Sequence, residues 1–79
     1  MDHIPEFPRF TVEAGKMGGQ ACIRGYRFSL EQLLSMIDSG MTSERIMEKF
    51  PFLEPDDISD AIRYAVREAK RSYYVALPA

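Results

Sequence analysis

From Leu30 onward the apolar positions recur every three or four residues, whereas before it they come in short clusters broken by glycine and proline. Leu30, Leu33, Leu34 and Ile37 fall on one face of a helix. Ser29 and Gln32, three residues apart, have the spacing of a capping box, and Gly40 supplies a left-handed stop. Thr42 caps a second, shorter helix carrying Ile46, Met47 and Phe50. Pro51 ends it, because proline disfavours helical geometry at the preceding residue and donates no backbone hydrogen bond. Pro55 opens a third helix, with Asp56 and Asp57 at the positive end of its dipole and Arg63, Arg67, Lys70 and Arg71 toward the negative end. Ile58, Ala61, Ile62, Ala65, Val66, Ala69 and Tyr73 keep the 3/4 spacing and predict one continuous apolar face.

The region before Leu30 predicts strands. Phe10-Thr11-Val12 combines aromatic and β-branched residues, and Ala21-Cys22-Ile23 is a second short apolar run. Glycines at 15, 18 and 19 mark the loop between them, and Gly25 allows a bend or bulge ahead of Tyr26 and Phe28. Such a hairpin is marginal alone and needs helices or a second subunit to cover it. Residues 1–9, with two prolines and little periodicity, are expected to be a flexible N-terminal arm. The expected organisation is that arm, a hairpin plus three-helix domain over residues 10–73, and a tail over residues 74–79. The class is mainly α within α+β: an N-terminal β-hairpin followed by a three-helix helix-turn-helix.

Size and charge narrow the partners. Seventy-nine residues make one domain, and a fold this small gains from dimerisation, so a homodimer is expected, with hairpins pairing across subunits as one route. Twelve acids against ten Lys and Arg give a net charge of −2, which removes the basic excess usual in a dedicated nucleic-acid binder. Cys22 is the sole cysteine, so no intramolecular disulfide forms, and its apolar neighbours suggest a buried small hydrophobe. The N-terminus lacks the runs of a signal peptide, and no stretch approaches the ~20 apolar residues needed to cross a bilayer. A cytoplasmic protein with no membrane contact is expected.

Chemistry-bearing residues are few. Gly15-Lys16-Met17-Gly18-Gly19 lacks the Gly-Lys-Ser/Thr of a phosphate loop. His3 stands alone, no cluster has metal-ligand spacing, and Asp56-Asp57 has no histidine partner for acid–base work. Neither catalysis nor a cofactor nor a metal is expected. Arg9, Lys16, Arg24 and Arg27 are the candidate DNA contacts, through phosphates or a minor groove. An alternative stands beside this: Arg24 and Arg27 pair with Asp56, Asp57 or Asp60, since guanidinium forks suit carboxylates. A base-reading third helix would offer Glu54, Asp56, Asp57 and Asp60, and only cytosine gives such acids a good donor. The sequence Tyr73-Tyr74-Val75-Ala76-Leu77 is costly to leave in water. It either folds back on its own domain or docks into a partner, and Tyr73, Tyr74, Val75 and Leu77 are the candidate partner-binding residues.

Gly18-Gly19, Ile23-Arg24-Gly25, Arg27, Ser39-Gly40-Met41 and Phe50-Pro51-x-Leu53 together resemble the bacterial domain of unknown function 433 over about residues 10–69. That family commonly has Gly-Gly-Lys-Pro and Arg-Gly-Thr-Arg, where this chain has Gln20 and Ala21 for Lys and Pro and Tyr26 for Thr. The resemblance implies a homeodomain-like helix-turn-helix. Many members resemble VapB-type antitoxins encoded beside a PIN-like ribonuclease toxin. It therefore implies a type II antitoxin that neutralises such a toxin through its tail and binds operator DNA as a secondary role. The alternatives are a stand-alone helix-turn-helix regulator and a dimeric adaptor that binds no DNA.

Overall fold

The computed structural model describes residues 2–72. Three strands come first: β1 (Asp2–Ile4), β2 (Phe7–Val12) and β3 (Cys22–Ile23), antiparallel in the order β1-β2-β3. Three helices follow: α1 (Leu30–Asp38), α2 (Ser43–Lys49) and α3 (Pro55–Ser72). The class is α+β, as the periodicity predicts. Pairing of Phe10 with Ile23 and Thr11 with Cys22 forms the expected hairpin within one chain.

The expectation of an arm at the N-terminus needs correction. Residues 2–9 are strand and turn. Pro5 and Glu6 link β1 to β2, with Glu6 at φ 72°, the positive value found after proline in tight turns. The register shifts between His3 and Ile4, and both Phe7 and Phe10 are buried. Their rings stack at 5.5 Å, and Tyr64 of α3 meets them edge-on at 5.7 and 6.1 Å. The Arg67 guanidinium lies 4.9 Å from the centre of the Phe7 ring and donates to the Pro5 carbonyl at 2.9 Å. Aromatic burial and backbone pairing thus hold a segment whose prolines suggested mobility.

The helix signals read from sequence act as expected. The Gln32 N–H donates to Ser29 Oγ and the Ser29 N–H to Gln32 Oε1, both at 3.0 Å, completing the capping box of α1. At the other end Gly40 takes φ 93°, and the Gly40 and Met41 N–H groups donate to the Ile37 and Met36 carbonyls. This is the Schellman stop. Thr42 Oγ1 caps α2 by accepting from the Arg45 N–H. Leu30, Leu33, Ile46, Leu53, Ile58 and Ala61 join Phe7, Phe10, Ile23 and Phe28 in the core. Replacing Ser29 by alanine leaves the Gln32 N–H without its acceptor, so an unfolding free energy about 1 kcal/mol lower is expected in urea titration. An unchanged midpoint would show that the cap contributes nothing.

One helical expectation is only half met. Ile58 and Ala61 are buried, but Ile62 and Val66 are 45% and 50% exposed. Tyr64, partly buried, takes the inward position instead. The 3/4 spacing in α3 therefore holds two apolar faces, one packed on the core and one facing water.

Candidate functional site

A tight turn aims the most distinctive side chain. Ile23-Arg24-Gly25-Tyr26 closes with the Tyr26 N–H donating to the Ile23 carbonyl at 2.8 Å. Arg24 and Gly25 both have positive φ, 43° and 79°, the pattern of the mirror-image hairpin turn. Glycine meets this requirement freely, but an L-residue such as arginine is strained there. The turn is secured from several sides. Thr11 Oγ1 accepts from the Gly25 N–H at 2.9 Å, and Lys16 donates to the Gly25 carbonyl and, at 2.8 Å, to Glu13. The Arg24 N–H donates to the Arg9 carbonyl at 2.6 Å, which sets the two arginines side by side on neighbouring strands.

Both guanidinium groups point at the start of α3. Arg24 grips Asp57 with Nε 3.0 Å from Oδ1 and Nη2 2.9 Å from Oδ2, and also donates to the Phe52 carbonyl. Arg9 donates from Nη1 to Glu54 at 2.6 Å and to Asp57 at 3.0 Å, with Asp56 at 3.4 Å from Nη2. Asp57 itself is fully buried. Its Oδ2 also accepts from the Glu54 N–H at 2.8 Å, so the same carboxylate caps α3 from inside its first turn. One aspartate joins two strands to the third helix.

Protonation follows from this geometry. Burial opposes the charge on Asp57, but Arg24, the Glu54 N–H and Arg9 together hold its carboxyl below the ordinary aspartate range. The hydrogen bond to Glu54 is the main cause raising Arg9, and that to Asp57 the main cause raising Arg24. Because the folded Asp57 pKa is lowered, its contribution is complete above the unfolded value of about 3.9 and is lost as pH falls through the folded value. The unfolding free energy is accordingly expected to drop steeply below about pH 4, and less steeply in Asp57→Asn. Urea titrations between pH 7 and pH 3 check this; equal slopes for the two chains would contradict it.

The four cations named from sequence do not form one phosphate-binding patch. Arg9 and Arg24 are engaged by carboxylates, as the ion-pair alternative held for Arg24, and Lys16 is tied to Glu13 and the turn. The reason is proximity: the β2–β3 ladder brings Arg9 and Arg24 to the acidic first turn of α3, whose carboxylates take up their donors. Arg27 is exposed and has no ion-pair partner among the described residues, so the pairing alternative does not extend to it. Tyr73, Tyr74, Val75 and Leu77 lie outside the described residues. Cys22 is buried. The sequence names Asp57 as one of three carboxylates open to Arg24 and Arg27, but not as the centre of the cluster, and not Arg9 as its second clamp. Their signal was the Glu54-Pro55-Asp56-Asp57 run, which places a carboxylate three residues after the cap position.

Glu54 and Asp56 remain substantially exposed on the outer side of the cluster. The surface there is acidic.

The chain matches the family described as Protein of unknown function (DUF433) over residues 11–65. It belongs to that family. The matched DUF433 region contains Arg24, Asp57 and the turn joining them, while Arg9 and the end of α3 lie outside it. A solved structure, a DUF433 member protein from Anabaena variabilis ATCC 29413, is similar with a TM-score of 0.70 and 25% identity. The similarity covers 80% of this chain and 62% of that one, so the chain spans less than two-thirds of that neighbour's length. No curated protein matches the chain.

Proposed function

We propose that this DUF433 protein is an antitoxin-type binding module that holds and silences a PIN-like ribonuclease. The observation that carries the reading is the course of α3. Its first half is clamped to the sheet, whereas Ala69, Lys70 and Arg71 in its last turn are exposed and lead in sequence into the apolar Tyr73–Leu77 run. An aromatic, apolar sequence that follows an exposed last helical turn is suited to binding a partner's groove. The engaged state of Arg9 and Arg24 supports protein binding over phosphate binding. The same engagement favours the dimeric adaptor as the second reading, because both arginines serve the fold.

Operator binding is the weaker part of this proposal. The first turn of α3 is acidic, and a helix entering the major groove with Glu54 and Asp56 foremost meets phosphate repulsion. Co-expression with the protein encoded immediately beside this chain tests the proposal. Growth rescue together with co-purification is expected. A neighbour that is harmless alone and does not co-purify would overturn it.

A further inference from the structure

The outward face of α3 has a repeat of its own. Ser59, Ile62, Val66 and Ala69 are all exposed and follow one another at intervals of three, four and three residues. That is the seam spacing of two packed helices, with two β-branched residues at its centre and small residues at either end. Arg63, Arg67 and Lys70 border the stripe toward the C-terminal end, and Asp56 is exposed toward the N-terminal end. Ser59, Ile62, Val66 and Ala69 take no part in the core, whereas Arg63 and Arg67 lean their guanidinium groups over the Phe7 ring at its edge.

We propose that this face is covered by a second copy of the chain, α3 lying antiparallel on α3 across a two-fold axis. A dyad placed midway between Ile62 and Val66 sets Ile62 of one copy on Val66 of the partner subunit and Ser59 on Ala69 of the partner subunit. The small end residues let the backbones approach. The same axis keeps each flank on its own side and reverses its order, so Asp56 lies beside Lys70 of the partner subunit, twice, and the two Arg63 side chains meet near the axis, each paired with Asp60 of its own helix at 3.3 Å. In a parallel pair the two flanks fall on opposite sides of the seam and Asp56 meets no cation, so the Asp56–Lys70 pairs and the opposed helix dipoles favour the antiparallel arrangement. The contact is isologous and closes at two. It also differs from the route expected from sequence, in which hairpins pair across subunits.

Sedimentation equilibrium of the full chain alone tests this without any toxin, so its failure is distinct from failure of the antitoxin reading. A concentration-dependent dimer is expected. Ile62→Ala together with Val66→Ala should weaken it by about tenfold or more, because the apolar area buried in the seam is lost while the helix is kept. Asp56→Lys and Lys70→Asp should each weaken it by roughly tenfold, and the double exchange should restore it. Circular dichroism confirms that each variant keeps the fold. A monomer at every concentration would overturn the proposal, as would a dimer that the exchanges leave unchanged. A monomer whose Ile62 and Val66 become protected only when the neighbouring protein is added would overturn it too, by assigning the face to that partner.

Discussion

Asp57→Asn is expected to lower the unfolding free energy by about 3 kcal/mol and the melting temperature by roughly 10–20 °C. The side chain keeps its size, so the loss is electrostatic. Removing one member of a buried ion pair generally costs about 3–5 kcal/mol, since the remaining charge is left without compensation. Here Arg9 and Arg24 keep about a quarter of their side-chain surface exposed and can take up water, which places the effect at the low end. The amide still offers an oxygen to the Glu54 N–H. Arg9→Ala serves as the contrast. It leaves Asp57 in its two-point grip with Arg24 and removes only partly exposed pairs, so a loss of about 1 kcal/mol or less is expected. Urea unfolding of both variants near neutral pH measures the difference. Equal losses, or an Asp57→Asn loss under about 1 kcal/mol, would remove Asp57 from the centre of the cluster.

Replacing Tyr74 and Leu77 together by alanine is expected to abolish neutralisation of the partner ribonuclease. On the antitoxin reading the two are interface anchors, which cost about 2 kcal/mol or more each when truncated, so the pair amounts to roughly a thousandfold in affinity. Both positions lie outside the described residues, and thermal unfolding of the variant, expected to match that of the parent, separates a lost contact from a lost fold. Titration calorimetry with the purified neighbour measures the affinity. Binding within about tenfold of the parent would show that another surface makes the contact.

Helix boundaries were legible because each depends on local chemistry. Ser29 and Gln32, Gly40, Thr42, Pro51 and Pro55 act on backbone groups within a turn of themselves, so their types and spacing are sufficient. The hairpin of the Phe10 and Ile23 strands was legible for a similar reason, two apolar runs on either side of a glycine loop, while its register was not. Arg9 was not. Its role depends on Glu54 and Asp57, more than forty positions away, and only the ladder between β2 and β3 brings it there. The N-terminal strand was hidden because its support comes from Tyr64 and Arg67 in the last helix. In α3 the period identified the helix but not its inner face, because Ile62 and Val66 are as apolar as the buried Ile58. Arg24 was singled out with both of its readings, phosphate contact and carboxylate pair. The distances to Asp57 favour the pair.

The antitoxin reading is tested most directly by titrating the purified chain into the purified neighbouring protein while following RNA cleavage. The account predicts cleavage by the neighbour alone and its suppression at a fixed stoichiometric ratio, with the Tyr74→Ala, Leu77→Ala variant inactive as a suppressor. Cleavage that persists at a large excess of the folded chain would contradict it.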